Sequence, residues 1–75
     1  MNTLLAYLNA MSADERKDFC NRCGTTEGYL RKAISIGQKI GESLCINIDR
    51  ESGGTVTVES LRDDVDWAHI RSNAA

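Results

Sequence analysis

The chain has no proline, a single histidine, one tryptophan and one phenylalanine, and aromatic residues fill only 5% of its 75 positions. Without proline, the breaks between regular segments fall to its six glycines, a pattern that suits short helices. No run of eighteen apolar residues occurs, so no membrane-spanning helix is expected. The Leu4, Leu5, Leu8 stretch has neither a basic flank nor a cleavage-like site, so no signal peptide is expected and the chain reads as cytoplasmic. A lone His69 with no acid, base or nucleophile pattern leaves catalysis unsupported, and neither an enzyme nor a cofactor is expected. At 8.3 kDa this is one domain. A domain of that size buries about 60% of its unfolded surface, enough for a small helical core and too little to shield a deep substrate pocket as well.

Three cysteines are an odd number, and in a chain with no export signal they are expected as reduced thiols. The Cys20-x-x-Cys23 spacing invites a zinc or redox reading. A structural zinc needs four ligands, and the only others of the right type, Cys45 and His69, lie far apart without finger spacing. A redox pair usually sits at a helix N-terminus, where the dipole lowers a thiol pKa, whereas this pair falls at a helix end. No metal site is expected, and the thiols read as small hydrophobes at a helix crossing.

Leu4, Leu5, Leu8 and Met11 share one helical face, so residues 3–10 are expected to form an opening helix. Ser12-Ala13-Asp14-Glu15 has the capping-box pattern, which starts a second helix carrying Phe19, Cys20 and Cys23 on one side and ending at Gly24. A third helix follows almost at once, with Thr25 as N-cap, Leu30, Ala33 and Ile34 as its buried face and Gly37 as its stop. Residues 43–60 are ambiguous. Leu44, Ile46 and Ile48, then Val56 and Val58 across Gly53-Gly54, alternate as in a β-hairpin. The six residues from Asp49 to Gly54 make a long hairpin loop, while Leu44, Cys45 and Ile48 also satisfy a helical face. A fourth helix from Glu42 to Glu51 is the favoured reading, with Thr57 capping a short fifth through Leu61.

Two helices joined by a three- or four-residue turn containing glycine pack steeply, the geometry that projects a second helix into a DNA major groove. With Arg16 as the first of twenty motif positions, small Cys20 stands fifth, Gly24 ninth, and Leu30 and Ala33 at the buried fifteenth and eighteenth. The alternative is an ordinary helical hairpin in a small bundle. On the third helix Gly28, Arg31, Lys32 and Ser35 lie opposite Leu30 and Ile34, with Thr26 and Glu27 at its N-terminal end. Arg31 suits bidentate contact with guanine O6 and N7, Lys32 the same acceptors or a phosphate, and Thr26 a bond from the helix start. For Arg31 the competing role is an i, i+4 ion pair with Glu27 on a solvated face. Net charge is −2, yet from Arg16 to Lys39 six basic residues face two acidic ones, a local +4, and from Glu51 onward the balance is −3. The middle third is therefore the phosphate-facing candidate.

The run Cys23-Gly24-Thr25-Thr26-Glu27-Gly28-Tyr29-Leu30-Arg31-Lys32 resembles the phage Cro-like regulators of the YdaS antitoxin-like family. Gly37, Lys39, Ser43-Leu44, Ile48, Gly53-Gly54-Thr55-Val56-Thr57, Leu61-Arg62 and Asp66-Trp67 extend that likeness over residues 2–67. The resemblance implies an all-α domain of about five short helices, a lambda-repressor-like helix-turn-helix fold that binds operator DNA through its third helix, about residues 26–36. It implies a helix and then a short extended piece over residues 43–60. One departure is that the family commonly has a proline near the position of Ile40, where this chain has Ile40-Gly41. The residues expected at DNA are Thr25, Thr26, Glu27, Gly28, Arg31, Lys32, Ser35, Gln38 and Lys39.

The helix-turn-helix domain is thus expected over residues 1–67, with residues 68–75 as a tail. Trp67, the largest hydrophobe, is expected to pack onto the core or to seal a partner. The acidic Asp63-Asp64-Val65-Asp66 run should lie away from the duplex. The favoured function is a sequence-specific repressor of phage or prophage, acting as a homodimer on a two-fold operator. Val56, Val58, Val65, Trp67 and Ile70 are the apolar candidates for its dimer surface. The other class is an antitoxin-type module that binds and neutralises a toxin protein.

Overall fold

The computed structural model describes residues 2–68 and is all-α, with five helices and no strand among those residues. They are α1 (Asn2–Ala10), α2 (Ala13–Cys23), α3 (Glu27–Ile36), α4 (Glu42–Glu51) and α5 (Val58–Leu61). None is long and apolar enough to cross a membrane.

The local signals explain most of the boundaries. At the start of α2, the Ser12 hydroxyl accepts the Glu15 N–H at 3.2 Å and the Glu15 carboxylate accepts the Ser12 N–H at 2.9 Å. Two otherwise orphaned amides are satisfied, a device worth about 1 kcal/mol. The helix ends at Gly24, whose φ of 80° lies in the left-handed region that a side chain disfavours. The reversed chain then gives the Thr25 N–H to the Cys20 carbonyl at 2.9 Å. That bond makes Thr25 part of the closing turn of α2, so it is not the cap of α3 as the sequence suggested. Thr26 takes that role, extended at φ −125°, ψ 156°, with its hydroxyl accepting the Tyr29 N–H at 3.1 Å.

The ambiguous stretch resolves as α4 followed by turns and α5. Cys45 and Ile48 are fully buried while Ile46 is 40% exposed, a helical rather than an alternating pattern. The reversal after α4 is tied by side chains. The Ser52 hydroxyl accepts the Val56 N–H at 3.0 Å and donates to the Asp49 carbonyl at 3.1 Å, and an Asp49 carboxylate oxygen accepts the Val58 N–H at 3.0 Å. The threonine expected at the head of α5 is there, with Thr57 Oγ1 accepting the Ser60 N–H.

One core runs through all five helices. Leu4 and Leu8 from α1, Phe19, Cys20 and Cys23 from α2, and Leu30 and Ala33 from α3 supply one half. Ile40, Cys45, Ile48, Val56, Val58, Leu61 and Trp67 supply the other. Phe19 meets the edge of Tyr7 with ring centroids 5.2 Å apart. Trp67 packs onto this core, 4% exposed, and its indole N–H donates to the Arg62 carbonyl at 2.6 Å. Val56 and Val58, at 0% and 2% exposure, are core residues too. These three therefore are not a dimer surface: the apolar pattern after Gly53 is used to close the protomer's own core. Val65 is half-buried against that core, and Ile70 lies outside the described residues.

Candidate nucleic-acid interface

The α2–α3 unit is held from behind by bonds that leave one side of α3 open. Arg16, on α2, donates through Nη1 to the Met11 carbonyl at 2.7 Å and the Leu8 carbonyl at 3.4 Å, capping the end of α1. Asn47, on α4, donates from its amide to the Cys23 carbonyl at 3.0 Å, satisfying an end group of α2 beside the turn. Neither residue is singled out by periodicity. The usable signal for Asn47 is a polar amide flanked by Ile46 and Ile48 in a helix, which must find a partner when half-buried.

With Leu30 and Ala33 buried, successive positions at about 100° place Gly28, Lys32 and Ser35 on the opposite side of α3, and all three are exposed. A Cβ on Gly28 would meet no atom within 4 Å, so nothing within the protomer requires glycine there. Tyr29 and Ile36 border this face, 41% and 61% exposed. Thr26 stands at its head. Lys32 has no hydrogen bond or ion pair among the described residues, and the same holds for the exposed Lys17 on α2.

Of the other expected contacts, Glu27, Arg31 and Lys39 are engaged within the protomer. Arg31 donates through Nε to Glu27 at 2.6 Å and through Nη2 to the Asn9 side chain of α1 at 3.3 Å. The i, i+4 pair weighed as its competing role is thus formed. The same Glu27 oxygen stands 3.3 Å from Arg16 Nε. The Arg31 hydrogen bond, aided by Arg16, holds the Glu27 carboxyl below the usual carboxylate range. Lys39 donates to Asp64 at 2.9 Å, while Gln38 is exposed and Thr25 half-buried beside the turn. The loop carrying Gln38 and Lys39 is anchored despite lacking proline. Ile40 is fully buried and its carbonyl accepts Arg62 Nη1 at 3.2 Å, while Arg62 also grips Asp64 through Nε and Nη2. These bonds hold the Asp64 carboxyl far below its ordinary range.

The structure thus brings Gly28, Lys32 and Ser35 onto one accessible face with the N-cap Thr26 preceding it, sets Glu27 and Arg31 on its flank, and puts Lys39 against the acidic segment. An open groove of about 390 Å³ runs along the α2 side, lined by Asp14, Lys17, Asn21, Thr26 and Glu27 among others.

All three cysteines are free and buried. Burial raises the thiol pKa of Cys20 and pushes Cys23 and Cys45 up to about 11, which opposes thiolate chemistry. Among the described residues, no group of three or more His, Cys, Asp or Glu side chains could hold a metal ion. No family model, no curated protein and no solved structure matches the chain.

Proposed function

We propose that the chain is a DNA-binding transcriptional repressor of phage or prophage, Cro-like type, which lays α3 in the major groove of an operator. The observation that carries this reading is the three-residue turn from Gly24 to Thr26, which delivers a helix whose back is buried and whose front is open from Gly28 to Ser35. Phosphate and base-edge recognition need side chains of this kind on a rigid element: Lys32 for guanine or phosphate, and Thr26 and Ser35 for either. The likeness to the YdaS antitoxin-like family supports the same reading. Each protomer offers one such helix, so recognition of a two-fold site calls for a homodimer with half-sites about 34 Å apart. The action is cytoplasmic, where the operator and reduced thiols are both found.

The test is fluorescence anisotropy with a labelled duplex from the DNA upstream of the chain's own coding sequence, at several salt concentrations. Saturable binding that weakens steeply with salt is expected. No binding even at low salt refutes the proposal.

A second reading has a specific observation in its favour. Tyr29 and Ile36 expose apolar surface beside the same face, and most nearby cations are already paired, which suits a protein partner such as a toxin. Co-expression with the neighbouring gene product separates the two, because a stable complex broken by Ile36→Ser supports neutralisation of a partner.

A further inference from the structure

We propose that Glu27 is the positioning residue for base readout: it grips Arg31 through Nε and presents the Nη1 and Nη2 edge of that guanidinium to a guanine. This deepens the DNA-binding reading and rests on it. Arg31 sits on the flank of the α3 face, and a free arginine there would sample many rotamers, each binding event then costing the entropy of fixing it. Here the chain is already held. Nε is 2.6 Å from Glu27 and Nη2 is 3.3 Å from Asn9, while Nη1 has no partner among the described residues. A guanidinium has five N–H donors in a planar fork, and fixing one end leaves the other edge for bidentate contact with O6 and N7. The Asn9 bond is long and neutral on the acceptor side, so a base can displace it without disturbing the Glu27 grip.

Glu27 is suited to that task by what holds it in turn. Its carboxylate is shared with Arg16, which is only 21% exposed and is itself fixed to the end of α1. The carboxylate is thus paired from α2 by an arginine that is itself tied to the end of α1, which restrains its movement with Arg31. Two arginines on one carboxylate also leave the cluster with a surplus positive charge, so it is not repelled by DNA.

The two effects of Glu27 pull apart in an experiment. Its negative charge opposes binding to any duplex, while its grip on Arg31 favours one base. Glu27→Gln keeps the shape and an acceptor for Arg16, removes the charge and weakens the hold on Arg31. Glu27→Asp keeps the charge and shortens the reach. Wild type, both variants and Arg31→Ala are each used to select from a pool of randomised duplexes, and affinity for the unselected pool is measured in parallel, with folding followed by circular dichroism. Wild type is expected to enrich a guanine column in each half-site that Arg31→Ala loses. Glu27→Gln should lower the preference in that column about tenfold while binding the unselected pool as tightly as wild type or more tightly. Glu27→Asp should lower the same preference with no gain on the pool.

A wild-type guanine column that both folded Glu27 variants retain overturns this proposal and leaves DNA binding standing. So does a column that survives Arg31→Ala. Parallel loss on selected and unselected DNA assigns Glu27 a purely structural role and also overturns it. Should wild type enrich no sequence and not bind the pool, the DNA-binding reading itself fails. If Glu27→Gln does not fold, Glu27→Asp carries the decision.

Discussion

Replacing Phe19 by alanine tests whether the helix-turn-helix unit owes its geometry to one side chain. Phe19 is fully buried on α2, the largest of the fully buried residues, and it meets the edge of Tyr7 on α1. Truncating a buried phenylalanine to alanine costs about 3–5 kcal/mol, and the lost aromatic pair lies within the upper part of that range. A domain of this size has a total stability of about 4–11 kcal/mol on the usual per-residue scale. Phe19→Ala is therefore expected to leave the chain largely unfolded at 37 °C or with a midpoint far below wild type. Phe19→Leu supplies a measurable intermediate: losing mainly the ring contact costs about 1.5 kcal/mol, which lowers the melting temperature by about 6–12 °C. Thermal and urea unfolding followed by circular dichroism report both. If Phe19→Ala melts within about 3 °C of wild type, far less than its predicted cost would allow, Phe19 is not the main filler between the first three helices.

With Lys17 and Lys32 as the unpaired lysines among the described residues of each copy, a dimer on DNA should show a log–log salt slope of about −4, measured by anisotropy; a slope near zero refutes an electrostatic duplex contact. Asp64→Asn should release Lys39 and strengthen binding to any duplex, with a steeper salt slope, and an unchanged slope would place Lys39 away from the phosphates. Asn47→Ala leaves the Cys23 carbonyl without its partner beside the turn, and should cost about 1–3 kcal/mol in urea unfolding; a change within error removes Asn47 from the scaffold. The neutral thiols of Cys23 and Cys45 contribute stability that is present in full below the unfolded thiol pKa of about 9 and is lost as pH rises toward about 11. Native protein should accordingly react slowly with a thiol reagent at pH 8 and rapidly in denaturant, and fast native labelling would contradict the buried placement.

Legibility from sequence tracked how local the cause was. The capping box at Ser12, the Gly24 reversal, the stop at Gly37 and the Thr57 cap each depend on a few neighbouring residues, and each stands where the pattern puts it. The Glu42–Glu51 helix was harder, because Leu44, Ile46 and Ile48 fit two periods at once. Burial of Cys45 and Ile48 together decides it, and burial is a property of the assembled core. The cap of α3 shifted by one residue because the Thr25 amide is consumed by the turn of α2, a bond that spacing does not reveal. Trp67 packs onto the core, the first of its two expected roles, whereas Val56 and Val58 were expected at a dimer surface and are core residues instead. Their apolar character was plain, but whether such residues cover their own core or another chain depends on where the path after Ser52 leads. At the candidate site the open side of α3 follows from the Leu30 and Ala33 positions. The engagement of Arg31 by Glu27 was foreseeable as one of two options, whereas the Arg16 and Asn9 links needed tertiary structure.

The proposed DNA-binding role requires of an acidic chain that its positive charge be in the right state as well as the right place. Of the six cations from Arg16 to Lys39, Arg16, Arg22, Arg31 and Lys39 each meet a carboxylate. These pairs are unequal. Arg16 is 21% exposed and committed to helix ends, whereas Lys39 is 68% exposed on a pair of the kind worth about 0–1 kcal/mol. A phosphate oxygen can exchange with Asp64 at Lys39 for little cost, but it cannot take Arg16 without undoing the seat of α1. The positive field available to a duplex is therefore partly latent, with Lys17 and Lys32 free at the outset and Lys39 recruitable on contact. On the proposed reading such a surface is expected to bind unselected DNA weakly, because few counterions are released before the pairs open. On the proposed repressor reading, affinity for a correct site would then come from base contacts made by a preset Arg31 and from two copies acting together. That arrangement would favour discrimination over raw attraction, which the proposed repressor role requires against a large excess of non-operator DNA.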